Sequence, residues 1–194
     1  MIGCVILAAG NSARFRKNKL RENYHGKSLI RWAFETVPTK QLGPVCVVTR
    51  FSDVEELAEA YGFRVVRNDA PELGISHSVI LGTLELLLDR CEGLMFLVSD
   101  QPLLRRETVA ALAERFRKDP KRIVVPTAEG RQGNPCIFPA SLYPELLTLS
   151  GDCGGKTVIQ SHPELVTEVP VPPEELADVD TLEDLQRLKR ITKI

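Results

Sequence analysis

Short β-branched runs alternate with amphipathic stretches along almost the whole chain, and no other feature restricts the fold so strongly. Strand patterns lie at 4–7, 45–49, 64–66, 94–98 and 123–125, with shorter ones near 135–138 and 166–169. Between them apolar residues recur at helical spacing, as in Val54, Leu57, Ala58 and Tyr61, and in Val109, Leu112, Ala113 and Phe116. Leu182, Leu185, Leu188 and Ile191 give a last helix its apolar stripe, with Thr181 or Asp180 placed to cap its start. The alternation predicts an α/β fold: a doubly wound, mostly parallel, Rossmann-like sheet with helices on both faces. A length of 194 residues suits a single domain spanning 1–194 with a sizeable core. The proline-rich stretch 170–173 reads as a surface connection and not as a domain boundary.

In sheets of this kind ligands sit beyond the carboxyl ends of the strands. The polar groups at those ends should therefore share one site: the loop 8–19, the segment Ser99-Asp100-Gln101-Pro102, and Asp178 and Asp180 before the last helix. The first strand runs into Ala8-Ala9-Gly10-Asn11-Ser12-Ala13-Arg14-Phe15, and Lys19 follows. Small side chains let backbone N–H groups approach phosphate oxygens, and two separated cations can neutralise them. An ordinary polar turn with two solvated cations has the same spacing. Gly26-Lys27-Ser28 and Gly155-Lys156-Thr157 resemble the end of a P-loop, but Arg21 and Ser150 stand where that motif needs its first glycine. No G-x-G-x-x-G follows the first strand either.

Asp100 is the sharpest single residue. It lies just past Leu94-Met95-Phe96-Leu97-Val98, a run apolar enough to be buried on both faces, so its carboxylate falls at the ligand rim. The bland alternative is an Asx turn or a cap for the helix after Leu103. Asp178 and Asp180 flank Val179, and we expect only one of the two carboxylates to turn into the site, the other capping a helix start. A pair such as Asp100 and Asp180 suits Mg²⁺, which takes one or two protein carboxylates and completes its octahedron with phosphate and water. Gly130-Arg131-Gln132-Gly133-Asn134-Pro135 and Gly151-Asp152-Cys153-Gly154-Gly155-Lys156 are glycine-rich turns with polar groups, each also readable as a plain turn. Gly74-Ile75-Ser76-His77-Ser78 opens a helix whose free N–H groups can hold an anion or be capped by Ser76. His25, His77 and His162 are dispersed and give no nucleophile–base pair.

Composition excludes several classes. A net charge of −1 points to neither nucleic acid nor an anionic membrane as a partner. No apolar run is long enough to span a bilayer, and the strand at 4–7 is too short for a signal-peptide core. The five cysteines are scattered and never in C-x-x-C, which argues against a disulfide framework or a zinc site. A cytoplasmic location is the expectation.

Taken together the segments resemble the molybdenum-cofactor nucleotidyltransferases, particularly the cytidylyltransferase branch, within the wider nucleotidyltransferase superfamily. Leu7-Ala8-Ala9-Gly10-x-Ser12-x-Arg14-Phe15 with Lys19-Leu20 is similar to the family's N-terminal signature. Gly74-x-Ser76-x-Ser78 with Gly82, Asp100-Gln101-Pro102-Leu103, Gly133-Asn134-Pro135, Gly151-Asp152-x-Gly154-Gly155-Lys156 and Asp178-Val179-Asp180-Thr181-x-Glu183-Asp184-Leu185 follow in the family's order, over nearly the whole chain. The double alanine Ala8-Ala9 resembles the cytidine-using branch. Departures are Arg16 where the family has glycine, Arg21-Glu22-Asn23 in place of a proline- or leucine-rich continuation, and Leu182 in place of proline.

The resemblance implies Mg²⁺-dependent transfer of CMP from CTP to the phosphate of a molybdopterin-type acceptor, with pyrophosphate released and a molybdoenzyme or its chaperone as a further partner. It assigns Arg14, Lys19 and Asp100 to catalysis and Asp100 with Asp180 to the metal. Leu7, Ala8, Ala9, Gly10, Ser12, Arg14, Lys19 and Ser78 fall to the nucleotide, and Gln101, Gly133, Asn134, Pro135, Asp152, Gly154, Gly155 and Lys156 to the acceptor. An acceptor phosphate is already ionised at neutral pH, so no general base is needed, in keeping with the dispersed histidines. Two other readings remain: a sugar- or polyol-phosphate nucleotidyltransferase, and a non-catalytic chaperone that binds nucleotide or cofactor.

Overall fold

A computed structural model describes residues 1–10 and 18–191. The elements in chain order are β1 (Ile2–Ala8), β2 (Asn23–Tyr24), β3 (Lys27–Ser28), α1 (Leu29–Thr36), β4 (Val45–Thr49), α2 (Ser52–Ala60), β5 (Arg64–Arg67), α3 (Ile75–Leu87), β6 (Gly93–Val98), α4 (Arg106–Lys118), β7 (Ile123–Ala128), β8 (Arg131–Gln132), β9 (Cys136–Pro139), α5 (Tyr143–Leu146), α6 (Gly155–Ser161), β10 (Val166–Pro170) and α7 (Leu182–Ile191). The main sheet runs β10-β7-β9-β6-β1-β4-β5, with β8 paired to β7. Within this sheet all pairings are parallel except those of β9 with β6 and β7 and of β8 with β7, while β2 and β3 form a separate antiparallel hairpin. The expected doubly wound α/β sheet is therefore present, with one antiparallel strand inserted between β6 and β7.

Alternation along the strands sorts the core into two layers. Ile2, Cys4, Ile6, Val45, Val47, Met95 and Leu97 face one side, where α1, α2 and α4 supply Phe34, Ala58 and Leu112. Val5, Cys46, Val48, Leu94 and Phe96 face the other, against Val79 and Leu86 of α3, Leu146 of α5 and Ile159 of α6. Period-two strands buried on both faces produce this arrangement directly. Gly82 lets α3 press onto β1, since a Cβ there would lie 2.2 Å from Val5 Cγ1. A third, smaller cluster joins Tyr24 and Leu29 to Val179, Leu185 and Leu188, seating α7 over the β2–β3 hairpin.

Thr181 is the cap of α7. Its Oγ1 accepts from the Asp184 N–H at 3.1 Å, and Asp184 Oδ2 accepts from the Thr181 N–H at 2.9 Å, a reciprocal capping box. The chain order β1–β4–β5 grows to one side of β1, while β6 lies on its other side. The sheet thus reverses direction at β1, and the crevice for a ligand opens there.

Candidate active site

The carboxyl ends of β1 and β6 lie side by side and frame a cavity of about 480 Å³. Leu7, Ala8, Ala9, Gly10, Lys19, Ser78 and Asp100, assigned to nucleotide or metal by sequence, all line it. The strand ends are tied down: Ser99 Oγ donates to the Leu7 carbonyl at 2.7 Å, and Thr49 Oγ1 donates to the Ala8 carbonyl at 3.1 Å. Ala8 and Ala9 are buried, and among the described residues nothing lies within 4 Å of where a Gly10 Cβ would be. Ser12 and Arg14 lie outside the described residues, as does Arg16.

One end of the cavity carries a compact charge cluster. Lys19 Nζ donates to Asp100 Oδ2 at 2.7 Å and to the Val179 carbonyl at 3.2 Å, and stands 3.5 Å from Asp180 Oδ1. Burial pulls the Lys19 ammonium down, but Asp100 and then Asp180 outweigh it and hold its pKa above the ordinary lysine value. The Val179 N–H donates to the Asp100 carbonyl at 2.9 Å, docking the segment before α7 onto the end of β6. Asp100 is not the cap of α4. That role falls to Glu175, whose Oε2 accepts from the Arg105 N–H at 3.1 Å.

Asp178 corrects the expectation that one of the two carboxylates turns away. In an extended segment residues two apart share a face, and buried Val179 faces the opposite side. Asp178 Oδ1 accepts from Gln101 Nε2 at 2.9 Å, so it belongs to the same cluster as Asp100 and Asp180. Crowding by protein and then the neighbouring Asp100 charge raise the Asp178 carboxyl to about 6. Gln101, assigned by sequence to the acceptor, is instead buried and spends its amide on Asp178.

A second cavity of about 270 Å³ adjoins the first, sharing Leu7, Ile75, Val98 and Asp152 with it. Gly133, Asn134, Asp152, Gly154, Gly155 and Lys156 line it as expected, while Pro135 does not. Its floor is apolar, built on Val79, Ile159, Cys136 and the edge-to-face pair Phe96–Phe138. The loop 151–155 is fixed against the start of α3: the Ser76 N–H donates to the Gly151 carbonyl at 3.2 Å, and Gly74, at φ 84°, leaves no room for a Cβ against that carbonyl. Ser76 does not cap α3, because its Oγ donates to the Leu73 carbonyl. Sequence reasoning missed Asn68, Pro71 and Glu72 on the nucleotide side, and the Phe96–Phe138 floor. Asn68, like Asp100, is a polar residue just past a strand, but β5 is too short and too charged to make it stand out.

Asp100 and Asp180 fit a divalent cation. Asp100 Oδ1 is buried and accepts no hydrogen bond from the described residues, leaving a lone pair for such a ligand. Among the described residues no three His, Cys, Asp or Glu side chains converge as a protein-only cage, so phosphate and water would complete the shell.

A doubly wound sheet with a charge cluster and two joined cavities fits the nucleotidyltransferase class of α/β proteins, to which the sequence comparison assigns the chain. The family model described as the MobA-like NTP transferase domain matches residues 4–166, and the chain belongs to that family. It is 28% identical to the purine catabolism protein PucB of Bacillus subtilis, over 96% of this chain and 95% of the relative. It is 32% identical to a probable molybdenum cofactor guanylyltransferase of Thermococcus gammatolerans, over 66% of this chain and 63% of that one. Among solved structures, Rv0371c of Mycobacterium tuberculosis superimposes with a TM-score of 0.81 at 24% identity, covering 97% of this chain and 98% of that one. A manganese complex of the same protein gives 0.75 at 22% identity, covering 98% and 99%. Among the described residues no helix is long and apolar enough to cross a membrane.

Proposed function

We propose that the protein transfers CMP from CTP to the phosphate of a molybdopterin-type acceptor, with Mg²⁺ as its metal. The observation that carries this reading is the pair of joined cavities, the larger of them lined by Lys19 and Asp100 of the charge cluster. The larger cavity has the small-residue floor and cation of a triphosphate cradle. The smaller one offers an apolar aromatic floor with a polar rim at Asn134, Asp152 and Lys156, which suits a flat heterocycle bearing a phosphate better than a polyol. The double alanine Ala8-Ala9 supports cytidine as the donor base.

In the reaction an acceptor phosphate oxygen attacks the α-phosphorus, the bond to the β-phosphate oxygen breaks, and pyrophosphate leaves with the electron pair. Asp100 and Asp180 would hold the metal, which when bound neutralises charge on the α-phosphate. Lys19 offers its ammonium to the triphosphate oxygens. The pinned loop 151–155 and the tied ends of β1 keep the two substrates in line, and positioning is the larger part of such catalysis. Pyrophosphate release measured for each of the four nucleoside triphosphates, with and without molybdopterin, tests the reading. Release with CTP that requires molybdopterin is expected. Release with a sugar or polyol phosphate instead replaces the acceptor, release with GTP replaces the base, and no release with any pair overturns enzymatic transfer.

A further inference from the structure

Lys19 does more than wait for phosphate. Its ammonium lies against three oxygens from two separate segments, Asp100 Oδ2, the Val179 carbonyl and Asp180 Oδ1, at 2.7, 3.2 and 3.5 Å. Those carboxylates are the ones that fit the divalent cation. An ammonium and a metal ion cannot share that position.

We infer that Lys19 occupies the metal position while the nucleotide is absent and vacates it when a triphosphate arrives, so that metal and triphosphate enter together; this rests on the metal reading given above. The fit of the ammonium is incomplete. Its contact with Asp180 is at the limit of hydrogen bonding, and Asp100 Oδ1 remains buried with no partner among the described residues. Asp100, Asp178 and Asp180 bring three carboxyl groups to this corner, and a divalent ion offers them more charge than one ammonium once the lysine has another anion to turn to. Lys19 itself lines the large cavity, which brings the phosphate oxygens within reach of the displaced side chain. Metal alone must break the Lys19–Asp100 pair with no phosphate to take the ammonium, and triphosphate alone must draw Lys19 off the same carboxylates with no metal to take its place. Each ligand thereby favours the other, as linkage requires.

The test is Mn²⁺ binding to nucleotide-free protein, read from the loss of the free-ion electron paramagnetic resonance signal. Wild type should bind weakly, and Lys19→Met about tenfold more tightly or better, the gain expected from removing one charge-assisted competitor. Adding Asp100→Asn to Lys19→Met should abolish the gain and so locate the ion. Lys19→Gln, which keeps a donor without the charge, repeats the test if the methionine variant does not fold. The rise in melting temperature produced by Mn²⁺ should likewise be larger in the variant than in wild type. Equal or weaker Mn²⁺ binding by the folded lysine variants overturns the inference. Turnover by wild type that persists without any divalent metal overturns the metal reading instead, so the two failures are distinct.

Discussion

Asp100, two residues past the buried strand β6, gathers two roles in one carboxyl group: Oδ2 pairs with Lys19 at 2.7 Å, and Oδ1 accepts no hydrogen bond from the described residues. Asp100→Asn preserves size and hydrogen-bonding capacity, so circular dichroism should show a folded protein while turnover falls by about two orders of magnitude or more. Lys19→Ala should weaken triphosphate binding by about 1.5–3 kcal/mol, the value of a well-made charge-assisted hydrogen bond, measurable by calorimetry with a non-hydrolysable analogue. Asp178 gives a pH-dependent expectation. Its carboxyl stands at about 6 in the folded protein, against an ordinary aspartate value of about 3.9. Through that interval the unfolded chain releases the proton while the folded chain keeps it, so stability falls as pH rises, and the loss is complete above about 6. Asp178→Asn cannot ionise and still accepts from Gln101; its melting temperature should exceed wild type at pH 7–8, with the difference vanishing near pH 4. Asp100 and Lys19 were legible in the sequence because each lies where a strand end or its loop must meet a ligand. Gln101 and Asp178 were not, since their mutual hydrogen bond depends on a docking of two segments that no local spacing encodes.

At the scale of elements, strands that are apolar on both faces announced themselves, and β4 matches its predicted limits residue for residue. The antiparallel course of β9 was hidden, because an apolar run of four residues reads the same in either direction. The two-residue strands β2, β3 and β8 are too short to carry any period. Helix α3 depends on closeness more than on propensity. Gly82→Ala drives a Cβ into Val5 Cγ1 and should cost about 1–3 kcal/mol in denaturant unfolding, with Val5→Ala in the same chain recovering part of it. Thr181→Ala removes the capping box that starts α7 and should cost about 1 kcal/mol. Because α7 follows Asp180 directly, that variant should also raise the metal concentration needed for half-maximal turnover.

For the molecule as a whole, layer order and site location follow from the alternation of strands and helices, whereas the division of the site into two cavities follows from packing between α3, α6 and the floor at Phe96 and Phe138. Chelation should abolish turnover and leave the two-layer core intact, with Mg²⁺ or Mn²⁺ restoring activity. The interior position of β1 in the sheet also has a consequence for synthesis. β1 pairs with β4 on one edge and β6 on the other, and Ile2 finds its neighbour at Gly93. β1 is thus made well before its second partner, and until β6 emerges it presents an apolar edge. Nascent chains arrested before residue 93 should be protease-sensitive throughout and bound by chaperones, and resistance should appear abruptly, not gradually, once β6 clears the exit tunnel.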